Sequence, residues 1–169
     1  KVSLISGVHD LLPNRVGGAA MQKNLETLGD IQYTQEEIDF ALELQRNNGK
    51  PELGIDGKIR PLRETLNSPG GGSTDSGDVS YNVPVVSLAA TTAPKGVPWH
   101  SWSVVASSGM SIGHKGMLHA AKALGMTMVD IFKDSKLRED IKKEFDEKIG
   151  EYDYDPYLDP GPPPIDYVD

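Results

Sequence analysis

Apolar positions recur at helical spacing over several stretches of the chain. Between 15 and 28, Val16, Ala20, Met21, Leu25 and Leu28 share one helical face. Asn14 is placed to cap that helix, Pro13 disfavours helix before it, and Gly29 supplies a stop. A second helix opens on Thr34-Gln35-Glu36-Glu37, runs through Ile38, Ala41, Leu42 and Leu44, and stops at Asn48-Gly49. Thr34 and Glu37 have the spacing of a capping box, so the paired glutamates read as groups that satisfy free amides rather than as a catalytic pair. Met117, Leu118, Ala121, Leu124, Met128 and Phe132 keep helical spacing within 113–132, and Leu137, Ile141, Phe145 and Ile149 recur every four residues from Ser135 onward.

Shorter apolar runs predict strands. Residues 2–6 alternate roughly between apolar and polar, 83–88 read as a buried strand with Pro84 near its start, and 101–106 alternate well enough for another. The 50–82 stretch is rich in Gly, Pro, Ser and Asp and reads as a loop too long to lack a purpose. The last nineteen residues predict an extended tail held by its tyrosines.

Composition narrows the chemistry. The formal charge of −8 disfavours a nucleic-acid partner. No run is apolar enough to span a membrane, and no signal-peptide pattern opens the chain. The lack of cysteine removes disulfides, thiolate nucleophiles and thiolate metal ligands, and suits a cytoplasmic protein. A chain that opens on Lys1 and goes straight into a strand looks excised from a longer one.

Two stretches concentrate candidate chemistry. Trp99–His119 carries His100 after a Pro98-Trp99 corner and His114 where a helix should begin. The loop 70–78 offers Ser73, Thr74, Asp75 and Asp78. We read the two as lips of one site. His100 can be a metal ligand on a rigid loop, or a loop histidine bonded to a carbonyl. His114 can meet an anion at a helix N-terminus, or simply end a loop. Asp75 can be a turn or cap residue. His114 and His119, five apart, point in different directions and cannot grip one ion.

Several of these stretches together resemble the metal-dependent aminoacylase and carboxypeptidase family. They are Leu12-Pro13-Asn14-Arg15, Gln32-Tyr33-Thr34-Gln35-Glu36-Glu37, Gly72 to Ser80, His100-Ser101-Trp102 and Gly113-His114-Lys115-Gly116-Met117, in that order. The likeness covers about residues 1–133.

The resemblance implies an α/β fold: the C-terminal half of a zinc-peptidase-like catalytic domain, a mixed sheet flanked by helices, with the last strand of an inserted lid domain at the N-terminus. Residues 1–13 would end the lid and cross over, 14–150 would belong to the catalytic domain, and 151–169 would be the tail. It also implies two divalent ions, zinc or manganese, with His100 as one ligand. Asn14, Arg15, Ser73, Thr74, Asp75, Asp78 and His114 would stand near a small amide substrate, an N-acyl or aroyl amino acid or a small peptide. A homodimer through the lid is implied as well.

The family's remaining ligands and its general base match nothing in this chain. The chain alone is therefore expected to be inactive, to bind no metal by itself, and to need an N-terminal part of the same protein. The competing reading is a non-catalytic binding or assembly module that keeps the fold without the metal site.

Overall fold

A computed structural model describes residues 4–63, 74–158 and 161. Its elements are helices: α1 (Arg15–Leu28), α2 (Gln35–Asn47), α3 (Ser76–Ser80), α4 (Trp102–Ser108), α5 (Ser111–Lys133) and α6 (Ser135–Ile149). The bounds of α1 and α2 follow their caps. Gly17 donates its amide to Asn14 Oδ1 at 2.8 Å, and the Thr34–Glu37 capping box is complete in both directions.

The expected α/β fold is not what the chain forms. Among the described residues there is no sheet, and the β pairing is an isolated parallel bridge between Pro13 and Val85. Residues 4–12 and 86–90 belong to no helix or strand, so the bridge is not extended into a ladder. Pro84 also lacks an amide to donate.

The 101–106 stretch is helical for a local reason. Ser103 and Ser107, one turn apart, are fully buried. Ser107 Oγ donates to the Ser103 carbonyl at 2.9 Å, and Asn48 Nδ2 donates to Ser103 Oγ at 2.7 Å. The buried period is thus four and polar, while Trp102 and Val105 face outward. Small serines let backbones approach, a signal that apolar alternation does not carry.

The described chain divides into two compact units. The first comprises 1–17, 63–86 and 136–169. Here Asn14 Nδ2 donates to the Ile141 carbonyl at 2.8 Å, and the free amides of Arg15 and Val16 donate to the Glu144 carboxylate at 2.9 and 2.7 Å. An acid from α6 therefore meets the positive end of α1. Burial pushes the Glu144 carboxyl up, but Lys148 and these two amides outweigh it and hold it low. Ile141 is the buried apolar residue of the α6 stripe.

The second unit comprises 18–62 and 87–135, with a core of Met21, Ala41, Leu44, Val97, Ile112 and Ala123. Gln45, fully buried, holds the following loop: its Nε2 donates to the Gly54 and Lys95 carbonyls, and its Oε1 accepts from the Gly54 amide. Thr127 and Asp130 of α5 both accept from Asn24 of α1. Gly116 packs so closely that a Cβ there would lie 2.3 Å from the Thr91 carbonyl oxygen.

The stripe of Met117, Leu118, Leu124, Met128 and Phe132 on α5 is exposed, contrary to the usual use of such spacing. The helix buries Ile112, Gly113, Gly116, Ala123 and Thr127 instead.

Candidate functional site

In the first unit the chemistry gathers around His9. Its imidazole Nδ1 lies 2.9 Å from Asp78 Oδ1, and its Nε2 lies 2.9 Å from the Tyr152 hydroxyl. Tyr154 donates its hydroxyl to the same Asp78 oxygen at 3.0 Å. Tyr157 stacks on the imidazole with ring centres 4.3 Å apart and planes 11° from parallel. The Tyr81 ring lies 5.1 Å away and donates its hydroxyl to Asp10 at 2.9 Å. Tyr152, Tyr154 and Tyr157 thus pack around the imidazole, which is buried.

Asp78 is held below the usual carboxylate range, chiefly by the His9 side chain, against burial, with help from Tyr154 and the His9 amide. Burial and the bond to Asp78 push the Tyr154 hydroxyl up. Gly77 is needed for this approach, because a Cβ there would lie 1.9 Å from the His9 carbonyl oxygen.

Nothing in the spacing of the sequence singles out His9. Its partners are 69 and 143 positions away.

The other expected site residues of this unit are placed variously. Asn14 is buried, with both ends of its amide engaged. Arg15 is exposed, with its amide on Glu144. Thr74 accepts from the Ser76 amide. Asp75 sits at the N-cap of the five-residue α3, makes no side-chain cap bond, and is exposed. Ser73 lies outside the described residues.

The second unit holds His100 and His114. His100 is exposed and has a φ of +60°, a left-handed backbone that L-residues seldom adopt. The turn around it is fixed by the Ser101 hydroxyl, which donates to the Pro98 carbonyl at 2.5 Å. This places an imidazole on a constrained corner directly before α4. His114 is the fourth residue of α5 and is exposed, with its amide already donated to Met110.

In the same unit, Lys115 binds the buried Glu37 carboxylate at 2.6 Å and the Gln32 carbonyl at 2.9 Å. Burial would push Glu37 up, but bonds from Lys115, Ser111 and the Thr34 amide outweigh it and hold the carboxyl at about 2. Tyr33 beside them is pushed up to about 12 by burial, then by Glu37 and Asp56. Glu37, Lys115 and Thr34 thus satisfy one another, and Glu37 serves structure as the capping pattern predicts.

A groove of about 560 Å³ is lined by Leu28, Gly125, Met126 and Val129, with Asn24, Lys122 and Asp130 around them, and holds none of the expected site residues.

A divalent ion needs three or four well-placed protein donors. Among the described residues no group of three or more His, Asp, Glu or Cys could hold one, so the donor set present does not by itself fit the implied ions. Nor, among these residues, is any helix long and apolar enough to cross a membrane.

The chain is similar to a curated hydrolase, in keeping with the five ordered stretches. The relative is the p-aminobenzoyl-glutamate hydrolase of Escherichia coli (strain K12), in its subunit designated B. It is 34% identical over 157 aligned residues that cover 79% of this chain and 33% of the relative. The chain thus spans about a third of the length of that curated relative. No family profile matches the chain, and no solved structure matches it.

Proposed function

We propose that this chain is part of a hydrolase that cleaves the amide bond of an N-aroyl or N-acyl amino acid, of the p-aminobenzoyl-glutamate kind. The observation that carries the reading is the 34% identity extending over 79% of the chain. The chemistry of the residues agrees with it. Such a substrate carries carboxylates, and the exposed guanidinium of Arg15 is a fork-shaped partner for one. Thr74 and Asp75, exposed in the same unit, are its proposed companions around the substrate.

His100 is assigned as one imidazole donor to a divalent ion, zinc or manganese. The constrained corner supports this, since a ligand must be aimed before the ion arrives. The remaining donors and the general base would come from residues outside this chain, and no chemical step is assigned to the chain's own groups. The relative's designation as a subunit supports an assembly with a partner.

The test is a chimera of the E. coli relative in which its matching third is replaced by this chain. We expect release of p-aminobenzoate from p-aminobenzoyl-glutamate, followed chromatographically, and a loss of bound metal and of activity on His100→Ala. A folded, metal-loaded chimera that leaves this substrate intact overturns the substrate reading and favours a non-catalytic module. Unchanged metal content in His100→Ala overturns the ligand assignment.

A further inference from the structure

The helix α5 is apolar on two sides. One side carries Ile112, Ala123 and Thr127, which are 0%, 0% and 2% exposed and close the core of the second unit. The other carries Met117, Leu124 and Met128, which are 59%, 42% and 58% exposed. At 3.6 residues per turn the two stripes lie about 110° apart, and the outer one runs about 16 Å along the helix. The neighbouring α4 packs on α5 and leaves Trp102 and Val105 exposed too.

A helix with apolar residues on more than one side is built for burial between layers, not for a water-facing surface. Single exposed apolar residues are ordinary, but a continuous row of them marks an interface.

We propose that the outer face of α5 is a docking surface for the portion of a p-aminobenzoyl-glutamate hydrolase-like protein that lies outside the third matched by this chain. The inference rests on the functional reading above. Two observations select this occupant over a second copy of the chain. Two thirds of the relative's length has no counterpart here, and in a continuous polypeptide that portion is held beside the matched third at an effective concentration in the millimolar range. Two copies of a chain with a net charge of −8 also repel each other as they approach. The partner surface is accordingly apolar at its centre, with room for two unbranched methionines, which adapt to irregular gaps.

The chain contains no cysteine, so a single thiol can report on the stripe. Met117→Cys, Leu124→Cys and Met128→Cys would each be labelled with iodoacetamide, with modification read by peptide mass mapping. Labelling would be compared between this chain alone and the chimera with the relative's remaining two thirds. Lys143→Cys, exposed on α6, serves as the reference position.

We expect the stripe thiols to react about tenfold or more slowly in the chimera than in the chain alone, with the reference thiol unchanged. Equal rates in both forms overturn the proposal. So does protection in the chain alone that disappears on dilution, which identifies a second copy as the occupant. A chimera that fails to fold where the relative folds also counts against it, and co-expression of the two parts as separate chains gives an independent reading. Co-purification lost on Met117→Lys with Met128→Lys supports the docking surface, and co-purification that survives these changes opposes it.

Labelling does not depend on turnover. A protected stripe in an inactive chimera sinks the proposed function and leaves the surface standing, and an active chimera with a reactive stripe does the reverse.

Discussion

The helices α5 and α6 follow the same rule in sequence and opposite rules in space. On α6, Leu137, Ile141, Phe145 and Ile149 recur every four residues, and the stripe is turned inward, with Ile141 7% exposed. On α5, Met117, Leu124 and Met128 keep helical spacing just as well, and they face water. What separates the two is the competing face. The side of α6 opposite its stripe carries Lys142, Lys143 and Glu147, which have no reason to be buried. The inward side of α5 carries Gly113, Gly116, Ala123 and Thr127, small residues that let α5 approach the Ser108 and Thr91 backbones closely. A period therefore locates a face, whereas the size of the side chains across the helix decides which face goes in.

The largest expected effect comes from spoiling that close approach. In Gly113→Ala, the new methyl would stand 2.1 Å from the Ser108 carbonyl oxygen, and neither backbone can yield cheaply. A loss of at least about 4 kcal/mol, or outright unfolding of the second unit, is expected by circular dichroism during urea titration. A near-normal midpoint would show that α5 can slide outward and that small residues do not set its facing.

Next in size is Ile141→Ala on α6, expected to cost about 2–4 kcal/mol by the same titration, because it empties a buried position.

Glu37→Gln should cost about 1–3 kcal/mol, since it leaves the Lys115 ammonium facing a neutral amide where it had a buried carboxylate. It also has a pH signature. The folded carboxyl sits at about 2, below its ordinary 4.5, so its contribution is fully present above about pH 4.5 and is lost as pH falls through 2. Melting temperatures taken between pH 7 and pH 2 should fall more steeply in the parent than in Glu37→Gln; parallel curves would remove Glu37 from the acid response.

The smallest effect is expected for Met128→Gln in this chain alone, within about 0.5 kcal/mol of the parent. A loss comparable to that of Ile141→Ala would mean that the outer stripe is already covered, and the contrast between the two helices would vanish.

Much of the helical framework was legible in the residues. Asn14, Gly29, Thr34, Glu37 and Asn48 mark ends by local chemistry, and the ends fall where they direct. The α4 region was not legible, because Trp102, Val104 and Ala106 suggest a period of two while the packing follows Ser103 and Ser107. Among the described residues the sheet expected by family likeness is absent, since a strand is defined by what lies beside it and the pairing there stops at the bridge between Val85 and Pro13. Of the site, the corner at His100 was visible through Pro98 and Trp99, although its left-handed backbone was not. The His9 cluster was invisible because pairing at long separation leaves no periodic trace.

That separation also orders events in time. His9 meets Tyr152 only after 143 further positions have been made, a wait on the order of ten seconds at ordinary rates of translation. The residues of the second unit extend no further than 135, so all of them have been made while the imidazole is still without its tyrosine cover. The first unit closes last, as a clasp fastened by the segment that carries Tyr152, Tyr154 and Tyr157.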